Sequence, residues 1–287
     1  MHASAPASSA NLGPGFDTLA LALDLRVEVN ATIGEPLQII SKGFGSEVIV
    51  DDSHLALRTA QLVLGHNNVR IEINSAIPLA RGLGSSAALA LATAAACGAK
   101  DPFAIAAAID GHPENAAASF MGGFVTATML ESSPVGFELR IDPSIVLVAV
   151  IPDMGLSTKK AREVLPSQIP YEDASFNLGR MGMLIAGMAE VSQLVAEAGQ
   201  DRLHQSQRTG LFPESKILLE QFIKAGSKTS FWSGAGPTLV GVAQYDKAQD
   251  IAAKMEQVVN NQRLKAKVDI LQVDKKGLIV EGKPWKS

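Results

Sequence analysis

Apolar positions along the chain change period several times, and each change marks an element. Thr18–Leu25 is mostly apolar and passes into the alternating RVEVN of Arg26–Asn30, the pattern of a half-exposed strand. Leu37–Ile40 and Val48–Val50 are expected as short strands on either side of a turn at Gly43–Gly45. His54–Leu64 has helical spacing and is closed by Gly65–Asn68, and Val69–Asn74 alternates again as a strand. After Pro78 and the turn Gly82-Leu83-Gly84 comes Ser85–Cys97, rich in alanine and leucine and apolar all round, which predicts a buried helix stopped by Gly98. Asp101 and Pro102 read as an N-cap followed by proline at the first helical position, opening a helix over Phe103–Ile109. Asp110–Phe124 is expected as a loop. Leu139–Ile141 and Ile145–Ile151 are strands, and the second is apolar enough to be central in its sheet.

Beyond Pro152-Asp153 the composition shifts. Ser157–Leu165 reads as a capped helix, 172–199 as a long helical region, Asp201–Arg208 as a polar helix and Ile217–Lys224 as another helix. Strand Thr229–Trp232, a second glycine-rich segment Ser233–Thr238 (SGAGPT), strand Leu239–Ala243, helix Asp246–Asn261 and strand Ala266–Val273 complete the pattern. The expectation is an α+β fold in two domains, 1–152 and 153–287, which share a face because no low-complexity linker separates them. Ala3–Asp17 (ASAPASSANLGPGFD) is small and turn-rich like a tail. Its density of donors and acceptors, and the apolar segment that follows at once, point instead to a loop enclosed by ordered structure.

Composition narrows the function classes. The chain has 287 residues, enough for a substantial core, and its net charge of −4 comes without a basic patch, which excludes nucleic acid as the expected partner. Lys275, Lys276, Lys283 and Lys286 form only a short basic tail. A single cysteine, Cys97, rules out an internal disulfide and reads as a small core residue. No apolar run reaches membrane-spanning length, and Met1–Gly13 has neither a basic nor an apolar signal region, so a cytoplasmic location is expected.

The chemistry centres on Pro78–Ala88, PLARGLGSSAA. Glycines permit close backbone approach, and the start of the helix that follows offers free N–H groups and a positive dipole end, which together suit a phosphate. The segment lacks the Walker A lysine, and taken alone it could equally be a tight turn with a serine cap. Asp110, His112, Glu114 and Asn115 fall within six residues. One carboxylate there suits Mg²⁺ beside phosphate, and a second could orient or deprotonate a hydroxyl; surface charge at a helix end is the plain alternative. Arg162 and Arg208 suit bidentate recognition of a carboxylate or a phosphate, although for either one alone a surface residue is the better expectation. SGAGPT is either a bulged turn or a second backbone wall against phosphates.

Three segments together carry a family resemblance: PASSANLGPGFD (Pro6–Asp17), IPLARGLGSSAA (Ile77–Ala88) and SGAGPT. On these the chain resembles the GHMP small-molecule kinases. DGHPENAAASFMGGF (Asp110–Phe124), STKKAREVLP (Ser157–Pro166) and DRLHQSQR (Asp201–Arg208) narrow the resemblance to the homoserine kinases. It implies the two-domain GHMP kinase fold and transfer of the γ-phosphate of ATP to the side-chain hydroxyl of L-homoserine, giving O-phospho-L-homoserine for threonine synthesis. It further implies that Pro78, Leu79, Ala80, Arg81, Gly82, Leu83, Gly84, Ser85, Ser86, Ala87 and Ala88 wrap the ATP phosphates, with Ser86 and Asp110 on Mg²⁺. Asn11, Asp17, His112 and Glu114 would face the amino acid, Asn115 its hydroxyl, and Thr158, Arg162 and Arg208 its carboxylate, with Glu114, Asn115 and Arg162 closest to catalysis. The family segment usually reads E-G-H-P-D-N; here the two carboxylates exchange lengths, as Asp110 and Glu114. Other readings stay open: attack by the hydroxyl without a general base, a kinase for another small alcohol such as L-threonine or an isoprenoid precursor, and an inactive ligand-binding paralogue. A homodimer is compatible with the sequence, which does not fix the oligomeric state. The adenine pocket is placed only loosely, around Ser53–Leu64.

Overall fold

The computed structural model describes residues 1–285; Lys286 of the basic tail lies outside the described residues. In chain order the elements of the first half are β1 (His2–Ala10), β2 (Leu19–Ile33), β3 (Gln38–Gly43), α1 (Leu55–Leu64), β4 (Val69–Ser75), α2 (Ser85–Ala96), α3 (Pro102–Asp110), α4 (Pro113–Met121), β5 (Phe124–Leu130), β6 (Ser133–Leu139) and β7 (Ile145–Pro152). The second half adds α5 (Thr158–Glu163), α6 (Tyr171–Ala189), α7 (Gln205–Arg208), α8 (Ser215–Ala225), β8 (Thr229–Trp232), β9 (Leu239–Gln244), α9 (Tyr245–Asn261), β10 (Ala266–Gln272), β11 (Ile279–Val280) and β12 (Lys283–Pro284). An eight-stranded sheet has the order β12-β11-β1-β2-β4-β3, with the β5–β6 hairpin joined to β2; a four-stranded sheet has the order β10-β7-β9-β8.

Five sequence expectations change. The strand expected at Leu139–Ile141 lies earlier, as β6 at Ser133–Leu139, where it pairs with β5 as a hairpin. Most of Ala3–Asp17 is strand, not loop: β1 pairs with β2 along its length, and its alanines and serines are small enough to lie buried under α2 and α4. Within Asp110–Phe124 the helix α4 forms between Gly111 and Gly122, whose φ of 79° and 77° stops α3 before it and α4 after it. Val48–Val50 makes no strand and is exposed. The helical region 172–199 is α6 followed by two short 3₁₀ turns, and only Gln205–Arg208 of the polar stretch is α-helical.

Asp101 caps α3 through its side chain, which accepts from Ala104 N at 2.9 Å, as its position before Pro102 predicts. Helix α2 packs against β1, β2, α1, α3 and α4, which is why it carries alanine on nearly every face. The strand β7 is buried at all eight positions and central, although both its neighbours are antiparallel. Alternate residues explain its uniform hydrophobicity. Leu147, Ala149 and Ile151 point into the core of the larger sheet, and Val146, Val148 and Val150 into a second core with α8 and α9. The sheets therefore do not divide at residue 152: β7 belongs to the smaller sheet, and β11 and β12 return to the larger one.

Candidate active site

Ala80 and Gly82 adopt left-handed φ of 52° and 73°, and Gly84, also left-handed, occupies the N-cap of α2. A Cβ on Gly82 would lie 2.1 Å from Ser233 O, so the glycine lets the loop press against the SGAGPT segment. A Cβ on Gly84 would lie 2.0 Å from Ser8 Oγ. No serine side chain caps α2; Ser86 Oγ donates instead to Asp110 Oδ1 at 2.6 Å. The first N–H groups of α2 thus remain free at the mouth of the site.

A cavity of about 260 Å³ opens in front of this helix start. It gathers Asn11, Asp17, Asp110, His112, Glu114, Asn115, Thr158, Arg162 and Arg208 with Ala80, Gly82, Leu83, Gly84, Ser85 and Ser86. Pro78, Leu79, Arg81, Ala87 and Ala88 of the same loop do not line it. Ala87 and Ala88 are core residues, and the Arg81 guanidinium turns onto the carbonyls of Pro152 (2.7 Å), Leu79 (2.9 Å) and Asp153. Gly234 and Ala235 of SGAGPT form part of the opposite wall.

The charges are arranged in two groups. Glu114, near the start of α4, is 2% exposed. Its Oε1 accepts from Asn115 Nδ2 at 3.2 Å, and its Oε2 is buried without a partner. Burial first, then the negative charge of Asp17, pushes its carboxyl up to about 8. Asp110 is also raised, by burial, against the hydrogen bond from Ser86. Asn115 Oδ1 accepts from Ser8 Oγ at 2.8 Å, which turns its amide nitrogen toward Glu114.

In the same cavity, Arg162 Nη2 pairs with Asp17 Oδ1 at 2.5 Å. Arg208 is 1% exposed, which removes the surface reading for it. Its Nη1 donates to Gly234 O and to His204 Nδ1, both at 2.9 Å. Burial and the Arg162 charge push it down to about 10, so it stays a cation at neutral pH. Both guanidinium groups approach the Phe16 ring, at 5.4 and 5.7 Å from its centroid. Asn11 lines the cavity, but both ends of its amide are engaged, with Gly234 O at 2.8 Å and Asp17 N at 3.0 Å.

The sequence counts Ser8 only among the donors and acceptors of the N-terminal segment and gives no role to Phe16, Asp201 or His204. His204 is fully buried, its Nε2 is 2.8 Å from Gly13 O, and burial pushes it down to about 4, so it is neutral. Since Arg208 can only donate to Nδ1, the proton sits on Nε2. Asp201 holds the turn below it by accepting from the backbone N–H of Leu203, His204 and Gln205. The i, i+4 spacing of His204 and Arg208 on one polar helical stretch was the available signal.

A second cavity of about 180 Å³ adjoins the first through Ser85 and Ser86. It is mostly apolar, lined by Val27, Phe44, Val48, Leu55, Leu79 and Leu89 together with His54, whose Nδ1 is buried without a partner. Among the described residues no cluster of three or more His, Cys, Asp or Glu could hold a metal by itself, and no helix is long and apolar enough to cross a membrane.

Comparison with known proteins gives consistent matches. The model of the GHMP kinases N-terminal domain matches residues 54–123, and that of the GHMP kinases C-terminal domain matches 184–261. The chain is 34% identical over 290 residues to homoserine kinase of Desulfitobacterium hafniense, covering 96% of this chain and 98% of that one. It is 38% identical over 266 residues to homoserine kinase of Streptomyces coelicolor, covering 86% of each. The crystal structure of homoserine kinase from Cytophaga hutchinsonii superposes with a TM-score of 0.83 at 24% identity, covering 97% of this chain and 96% of that one.

Proposed function

The chain belongs to the homoserine kinases of the GHMP kinase family, and from that membership we infer that it transfers the γ-phosphoryl group of ATP to the side-chain hydroxyl of L-homoserine. The observation that carries this reading is the charge layout of one small cavity. It brings a helix N-terminus with a glycine loop together with carboxylates and guanidinium groups suited to a zwitterion.

We propose the following roles. The backbone from Ala80 to Ser86 and the start of α2 receive the phosphates, and the apolar cavity beside them receives the adenine. Ser86 and Asp110 fit a Mg²⁺ ion: they place a hydroxyl and one carboxylate at the phosphate side, and phosphate oxygens complete such a site. Bound there, Mg²⁺ would neutralise charge on the transferring group. Asp17 meets the substrate ammonium, and Arg162 and Arg208 its carboxylate, with Thr158 and His112 closing the sides. The Asp17–Arg162 pair then exchanges its internal partner for the two ends of the zwitterion. Asn115, its amide fixed by Ser8, orients the hydroxyl. Glu114 is the proton acceptor, supported by its unpaired oxygen and a proton affinity close to working pH. The rest of the rate enhancement comes from positioning and charge neutralisation.

The test is a kinase assay with Mg·ATP across homoserine, threonine, homoserinol and 4-hydroxybutyrate. Turnover is expected with homoserine and at least about 100-fold lower kcat/KM with the two analogues that lack one charge, because each leaves a buried charge unpaired. Equal turnover of homoserinol would reject the carboxylate role of the arginines.

A further inference from the structure

Arg81 lines neither of the two cavities described above, yet its side chain fastens the glycine loop to the end of β7 and the segment that follows it. Its Nε donates to Pro152 O at 2.7 Å, its Nη1 to Leu79 O at 2.9 Å and its Nη2 to Asp153 O. Pro152 ends β7, a strand of the smaller sheet, and Leu79 belongs to the loop that enters α2 under the larger sheet. The backbone answers in the other direction: Leu156 N donates to Ala80 O at 2.9 Å. Leu156, Ser157 and Thr158 line the cavity, and Arg162 follows on the same short helix. Gly155 gives the guanidinium its room, since a Cβ there would stand 3.0 Å from Nη1. Ser233 Oγ reaches Gly82 O at 2.7 Å, and Thr238 N reaches Arg81 O at 3.3 Å, so the loop is also stitched to the far wall.

We propose that Arg81 is a positioning residue that couples the two halves of the site, so that ordering of the loop by nucleotide phosphates orders the segment carrying Thr158 and Arg162. This rests on the site roles proposed above. The physical reason is the geometry of the fork. A guanidinium donates in fixed directions to three carbonyls on two chain segments, so it resists shear between them; an ammonium is a point charge that can follow either segment alone. Displacement of the loop is thereby passed to residues 153–158 as displacement of the substrate wall. Misplacement of order 1 Å between phosphoryl group and hydroxyl is enough to lower turnover by about 100-fold.

The experiment measures homoserine affinity by calorimetry with and without β,γ-methylene-ATP and Mg²⁺, for the wild type, Arg81→Met and Arg81→Lys. In the wild type the nucleotide analogue is expected to tighten homoserine binding about 10-fold. In Arg81→Met each ligand alone binds within about 3-fold of wild type, the mutual tightening falls below about 2-fold and kcat drops at least about 10-fold; Arg81→Lys fails to restore it. A variant that keeps the full mutual tightening overturns the proposal, as does a loss of kcat matched by an equal loss of both separate affinities. If Arg81→Met does not fold, Arg81→Lys and hydrogen exchange of the wild type decide. The Leu156 amide should become more protected when the nucleotide analogue binds without homoserine, and unchanged exchange there overturns the proposal. A wild type that binds neither ligand would instead reject the site roles, and one that binds both independently would reject the coupling alone.

Discussion

At the scale of single residues, the site is built from groups held away from their ordinary chemistry. Glu114 is the sharpest case. Its carboxyl, raised by burial from 4.5 to about 8, keeps a proton in the folded chain that the unfolded chain has already lost across that window. Folding therefore takes up a proton, stability falls as pH rises from about 4.5 to 8, and above that the whole cost of burying the carboxylate is present. Glu114→Gln removes that cost. The variant is expected to gain thermal stability over the wild type by more at about pH 8.5 than at about pH 5, while kcat falls at least about 100-fold. Melting curves at the two pH values check the first part, and an identical difference at both would contradict the assignment. His204 has a different task. Neutral and bonded to Gly13, it offers Arg208 an acceptor without adding positive charge beside two guanidinium groups.

At the scale of elements, the glycine loop shows why spacing alone was not enough to read it. Gly82 and Gly65 have the same φ of 73°, but a Cβ on Gly65 meets nothing within 4 Å, whereas one on Gly82 strikes the backbone of Ser233 and Gly236. Gly65→Ala is expected to cost about 1 kcal/mol through φ strain and leave turnover unchanged. Gly82→Ala carries the same strain and also pushes the loop off the far wall, so KM for ATP should rise at least about 10-fold. Titrating ATP in the two variants separates the conformational role of a glycine from its role in close approach. Equal KM values would remove the argument for contact. From the sequence, the run SSAALALATAAA and the Asp101-Pro102 start could be read as elements because their signals are local. Helix α4 could not be read so easily: its nine residues mix Pro, Glu, Asn and Ser with alanine and show no clear period, and two glycines bound it.

At the scale of the whole molecule, the two sheets are clasped by residues from opposite ends of the chain. Arg26 on β2 pairs with Asp274, just beyond β10, and also donates to Ser4 and to Gly277 O. Asp274 in turn accepts from Lys276 N and Gly277 N. The pair is largely buried, so removing one partner leaves an uncompensated charge. Asp274→Ala should cost about 3 kcal/mol and lower the melting temperature by roughly 8 °C, with activity kept at room temperature because neither residue lines the cavity. Calorimetry and an assay at 25 °C test both halves of that statement. The shared core has the same consequence as the clasp: β7 feeds it from one face and a separate helical core from the other, so neither sheet is buried without its neighbour.

The glycine turn entering an apolar helix was determined by the sequence, together with most strands and helices and the kinds of charged side chain that the fold gathers in one cavity. Those are properties of local period, turn chemistry and charge type, which the chain carries in short stretches. Only the tertiary structure decided that small residues near the N-terminus make a buried strand, that Arg81 faces away from the cavity it precedes and that β11 and β12 join the first sheet. It also decided that Ser8, Phe16 and His204 stand behind the residues in front. Each of these depends on contacts between segments far apart in the chain, where burial and hydrogen-bond geometry are set by the partner and not by the residue's neighbours in sequence.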